Sequence, residues 1–131
     1  MIFNQLFDDK SSTYTYIISS GKGREALIID PVIEHTKKYI KILKDLELKL
    51  VKVIDTHIHA DHISGLNELN KQTECTRIMG EESESEVIDL RVKESEKVKI
   101  EGVELITLYT PGHTKCSYSY LMNDRVFTGD T

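Results

Sequence analysis

Three imidazoles and a carboxylate fall within the segment Thr56-His57-Ile58-His59-Ala60-Asp61-His62, the densest gathering of metal-binding side chains in this sequence. Residues two apart in extended chain point to the same side, so His57 and His59 can address one ion while Ile58 turns toward a core. Asp61 and His62 lie where the chain is expected to turn into a helix, and there they can hold a second ion or orient a water. That makes Asp61 the candidate catalytic group. Two later segments, Thr110-Pro111-Gly112-His113-Thr114 and Phe127-Thr128-Gly129-Asp130, each carry a possible ligand in a turn after a strand. Pro111 and Gly112 would fix a tight turn, and Gly129 would permit close backbone approach beside Asp130. The candidate metal set is therefore His57, His59, Asp61, His62, His113 and Asp130. Reading all of these as solvated loop residues would require three separate motifs to coincide.

The elements that must position them follow from apolar periodicity. Short β-branched and aromatic runs predict strands at 2–7, 13–18 and 26–30, the last ended by Asp30-Pro31, and this opening reads as a meander. Tyr39, Ile42, Leu43 and Leu46 recur at helical spacing opposite a lysine-rich side, which predicts an amphipathic helix over 34–47. A strand at 50–54 then delivers the histidine-rich segment. A shorter helix is expected over 63–71, capped by Asp61 or His62, with Gly65 weakening it. After a strand near 76–79, the charged stretch 80–97 reads as solvated and loosely ordered. Further strands are expected at 98–100, 103–108, 117–122 and 125–128. Strands and helices in this order predict a sheet with helices packed on one face, an α/β or α+β layer.

Composition limits what such a site serves. The chain has 131 residues, the size of one domain, with 39% apolar and 30% charged residues and no low-complexity tract, so a packed core is expected. Its formal charge of −5 argues against nucleic acid as a partner and for a small molecule. No apolar run reaches the roughly 20 residues that span a bilayer, and the N-terminus lacks the marks of a secretory signal, so neither membrane nor export is expected and the chain reads as cytoplasmic. Cys75 and Cys116 accordingly read as free thiols. His35, the one histidine outside the motifs, reads as a solvated helix residue, and Tyr14, Tyr16, Tyr118 and Tyr120 read as sheet packing.

In order, THIHADH, PGHT and TGD resemble the metal motifs of the metallo-β-lactamase superfamily, and NQLFDDKSSTYTYIIS followed by ALIIDPV is similar to its persulfide dioxygenase branch. The resemblance implies the first half of an αββα fold. It also implies one Fe(2+) held by His57, His113 and Asp130, with His59, Asp61 and His62 as a supporting shell, and oxidation of glutathione persulfide by dioxygen to sulfite and glutathione. Glyoxalase II, the neighbouring branch, implies Zn(2+) instead, in a two-metal site with Asp130 bridging and Asp61 and His62 on the second ion, which hydrolyses a thioester. That site takes a further downstream histidine, and none of the five histidines follows His113, which favours a single iron.

Two departures stand out. The sequence stops after the TGD motif, and Lys115-Cys116 replaces the small residues that resemblance implies after PGHT. A first half alone would leave an apolar sheet face exposed, so three arrangements are expected: a longer parent chain, a homodimer of two such halves, or a non-catalytic metal-binding remnant.

Overall fold

The computed structural model describes residues 1–58, 64–112, 114–123 and 125–129. The meander forms as expected. Strands β1 (Ile2–Asp8), β2 (Thr13–Ser19) and β3 (Glu25–Ile29) pair antiparallel in succession. A 3-10 turn (Ile33–His35) and helix α1 (Thr36–Asp45) then cross over to β4 (Lys49–Ile54), which lies parallel to β3. Helix α2 (Leu66–Thr73) makes the next crossover, to the parallel strand β5 (Thr76–Gly80). The sheet is completed by β6 (Leu90–Val92), parallel to β5, giving the order β1-β2-β3-β4-β5-β6.

Strands buried on both faces carry near-continuous apolar sequence, and Ala26-Leu27-Ile28-Ile29 fits that rule. Ala26 and Ile28 face α1 and α2 with Ile17, Val53, Tyr39, Leu43, Leu66 and Leu69. Leu27 and Ile29 face the opposite way, with Ile18, Ile54, Ile78 and Val92. That second face is covered by a four-stranded antiparallel sheet of β7 (Lys97–Ile100), β8 (Val103–Tyr109), β9 (Tyr118–Met122) and β10 (Arg125–Phe127), in the order β10-β9-β8-β7. Its inward side chains Val98, Leu105, Tyr118, Tyr120 and Phe127 fill the space between the sheets. The layers are thus helix, sheet, sheet. The apolar face expected to be exposed on the first sheet is closed by the chain's own later strands, which form a separate sheet instead of extending the first.

Three further expectations change. The charged stretch 80–97 is ordered: the Arg77 guanidinium grips the Asp89 carboxylate through Nε at 2.9 Å and Nη2 at 3.0 Å, and the Asp89 N–H donates to Arg77 O at 3.0 Å just before β6. Gly65, not Asp61 or His62, occupies the N-cap of α2, where its N–H donates to Pro31 O at 2.9 Å. His35 is not merely solvated, since its Nε2 lies 2.8 Å from Asp8 Oδ1 and ties the helical crossover to the end of β1. Together with the Ser11 hydroxyl, the larger influence, this holds the Asp8 carboxyl down at about 2. Among the described residues no helix is long and apolar enough to cross a membrane.

Candidate metal centre

Parallel strands β3 and β4 end side by side, and their carboxyl ends are where loops from a sheet of this kind gather functional groups. Asp30 follows β3, and Asp55, Thr56 and His57 follow β4. All four are nearly inaccessible, with relative exposures of 2%, 4%, 1% and 2%. Buried polar groups on this scale are kept only where they are bonded to one another or used. Here Asp30, Thr56 and His57 are linked by hydrogen bonds. Thr56 donates its N–H to Asp30 Oδ1 at 2.7 Å and its hydroxyl to Asp30 Oδ2 at 2.8 Å, and Thr56 Oγ1 lies 2.9 Å from His57 Nδ1. Asp30 takes this place with φ of 55°, in the left-handed region that disfavours side chains, while its own N–H is held by Ile54 O at 2.7 Å.

The other two motif segments reach the same spot through residues next to their candidate ligands. Gly129 stands at φ 60°, and a Cβ added to it would overlap Thr56 Oγ1 and sit 3.1 Å from His57 Nδ1. Only glycine fits that approach. On the other side, Ile58 N–H donates to Cys116 Sγ at 3.2 Å, and the same sulfur lies 3.2 Å from Thr114 Oγ1, the neighbour of His113. Tyr118 N–H donates to Thr56 O at 2.8 Å, locking the start of β9 to the histidine segment. Of the six candidate ligands, His57 is described. His59, Asp61, His62, His113 and Asp130 lie outside the described residues, and among those described no trio of His, Cys, Asp and Glu is gathered for a metal.

Two cavities border the segment 55–58. A small one, about 60 Å³, is lined by Tyr14, Tyr16, Asp30, His57 and Gly129. A larger one of about 520 Å³ lies between Asp55, Ile58, Leu66, Met79 and Val87. Burial, and then the charge of Asp30, push the Tyr16 phenol above its usual range. Tyr120, wholly buried beneath the site, is pushed up further by desolvation and is a neutral hydroxyl at physiological pH. Tyr118 and Tyr120 are packing residues as expected, and Tyr16 joins Phe3 and Phe127 in an aromatic cluster, with ring centroids 5.6 and 4.8 Å away. Tyr14 is the exception, half exposed on the β1–β2 hairpin against Phe7. Both cysteines are buried free thiols.

Asp30 and Thr56 are the residues the sequence did not single out. The available signal was positional: a carboxylate at the end of the strand that pairs with the histidine-bearing one, and a hydroxyl adjoining the first histidine.

Residues 8–131 match the profile of the metallo-beta-lactamase superfamily. The mitochondrial persulfide dioxygenase ETHE1 of Mus musculus is 35% identical over 99% of this chain and 52% of its own length. A probable hydroxyacylglutathione hydrolase of Schizosaccharomyces pombe is 34% identical over 90% of this chain and 48% of its own. Among solved structures, ETHE1 from Myxococcus xanthus superimposes with a TM-score of 0.94 at 41% identity, covering 98% of this chain and 56% of that one. The chain spans about half the length of the curated relatives it matches.

Proposed function

The chain belongs to the metallo-β-lactamase superfamily, and from that premise we propose that it carries a persulfide dioxygenase-like centre in which His57, His113 and Asp130 hold one Fe(2+). The observation that supports this most directly is the close approach of Gly129 to Thr56 and the His57 ring, which brings the third motif segment to the first. The Cys116 contacts with Ile58 and Thr114 join the second motif segment to the histidine segment. Two imidazoles and one carboxylate are a donor set that fits ferrous iron, which supplies open coordination positions for dioxygen and a sulfur ligand.

The proposed reaction converts glutathione persulfide, dioxygen and one water into glutathione, sulfite and two protons. His57 presents a ring clamped from behind by Thr56 and Gly129, a rigid setting that suits a ligand whose position must not drift as substrate exchanges. His59, Asp61 and His62 form the surrounding polar shell, with Asp61 the group proposed to orient water at the reacting sulfur. The larger cavity, walled in part by Ile58, Leu66 and Met79, adjoins the histidine segment and offers an apolar surface to a substrate.

The similarity to a hydroxyacylglutathione hydrolase supports a second reading, a thioester hydrolase with paired Zn(2+). Metal analysis of the purified chain separates the two. About one iron per chain, lost in His57→Ala, is the expected outcome, and two zinc ions per chain would exclude the dioxygenase. Oxygen consumption with glutathione persulfide then tests turnover, and none by iron-loaded protein would leave a metal-binding remnant.

A further inference from the structure

We propose that Thr56 is a positioning residue that connects Asp30 to His57 and fixes the imidazole in the tautomer with its proton on Nδ1, so that Nε2 carries the lone pair offered to the metal. The donor count decides the polarity. A carboxylate only accepts hydrogen bonds, and Asp30 receives both the Thr56 N–H, at 2.7 Å, and the Thr56 hydroxyl, at 2.8 Å. A hydroxyl has one proton. With that proton directed to Asp30, Thr56 Oγ1 can only accept at its 2.9 Å contact with His57 Nδ1, and the ring nitrogen is the donor. A neutral imidazole has a single N–H, so Nε2 is left as the basic nitrogen. Metal-binding histidines commonly donate their other N–H in this way to an acceptor that sets ring orientation and basicity.

The surroundings hold this chain of bonds in one direction. Asp30 holds a left-handed conformation, with its N–H bonded to Ile54 O. Gly129 lies so close over Thr56 Oγ1 that a Cβ added there would overlap it. Asp30 is thereby assigned a role through Thr56: by receiving the threonine hydroxyl proton it sets the tautomer of the His57 ring.

The proposal rests on His57 being a ligand, and the test separates the two claims. Long-range proton–nitrogen correlation spectra of the metal-free, nitrogen-15-labelled chain at about pH 8, above the usual imidazole titration, read the tautomer directly. Iron and zinc affinities are measured by chelator competition on the same samples, and circular dichroism checks folding. In the wild type and in Thr56→Ser, Nδ1 is expected to carry the proton. In Asp30→Asn the side-chain amide can donate to Thr56 Oγ1, the hydroxyl then turns to donate to Nδ1, and the proton is expected on Nε2. Thr56→Val removes the link and is expected to weaken metal binding roughly 10- to 100-fold, as loss of such supporting bonds does. A wild-type ring protonated on Nε2, or an Asp30→Asn ring that keeps the wild-type pattern, overturns the relay whatever metal the chain binds. If Thr56→Val fails to fold, the wild-type, Ser and Asn spectra still decide. Unchanged metal affinity in His57→Ala with the wild-type tautomer as expected would leave the relay standing and remove the ligand reading it serves.

Discussion

Gly129 concentrates several demands in one residue. Its φ of 60° alone disfavours any side chain by about 1–2 kcal/mol. A Cβ added there would also overlap Thr56 Oγ1 and lie 3.1 Å from His57 Nδ1, a collision inside the bonded set that supports the ring. Gly129→Ala is therefore expected to lower the urea midpoint by the backbone term and, separately, to weaken metal binding. Chelator competition on protein confirmed as folded distinguishes the second effect from the first; a variant that is destabilised yet binds metal like the wild type would show that the close approach serves stability alone. At this scale the sequence was informative about the motif types and silent about their support. His57, His113 and Asp130 stand out in the sequence as candidates because imidazole, glycine and carboxylate recur after strand-like runs. Asp30 is not, because its contact with Thr56 bridges 26 positions and requires a backbone conformation that a non-glycine residue rarely adopts.

Among the elements, β6 shows how a charged stretch becomes a strand. Leu90–Val92 is short and flanked by glutamates and lysines, so periodicity alone reads it as solvated. It is recruited by the Arg77–Asp89 clasp and by Val92, which enters the core between the sheets. The Arg77 bonds hold the Asp89 carboxyl down at about 2, against 3.8 unperturbed. A carboxylate with a depressed folded-state value stabilises the fold fully above its unfolded value and loses that contribution as pH falls through the folded one. The stability gap between wild type and Asp89→Asn is therefore expected to be constant above about pH 4 and to shrink toward pH 2, with a plateau on the order of 1 kcal/mol because the pair is partly solvated. Urea titrations at a series of pH values check this; a gap independent of pH down to 2 would mean that the amide's packing, not the ion pair, is responsible. The helices were legible because α1 keeps its apolar face through Tyr39 and Leu43, whereas the start of α2 moved to Leu66 because Gly65 bonds back to Pro31 and takes the cap.

For the whole molecule, the two sheets act as one body because they share a core, and the site hangs on the seam between them. The histidine-bearing segment belongs to the first sheet, while Thr114, Cys116 and Gly129 flank the second, joined across the seam by the Tyr118 N–H to Thr56 O bond. Sequence periodicity gives which residues face inward but not whether later strands extend one sheet or build another, since β8 alternates in the same way in either arrangement. Two opposite perturbations probe the seam. Leu105→Ala deletes a wholly buried side chain of β8 and is expected to cost about 2–5 kcal/mol through the cavity it leaves. Gly80→Ala, at the end of β5, instead adds a Cβ that would overlap the buried ring of Tyr118 and lie 3.2 Å from Cys116 O, an overpacking expected to cost about 1–3 kcal/mol. Both should lower the midpoint of a single cooperative transition. Their effects on metal differ: the cavity in Leu105→Ala leaves the β9 anchor in place, while the displaced Tyr118 and Cys116 in Gly80→Ala shift the segment that follows His113. Metal affinity measured well below each variant's midpoint should thus fall for Gly80→Ala and hold for Leu105→Ala. Equal losses in both would mean that the centre responds to global stability and not to the placement of β9.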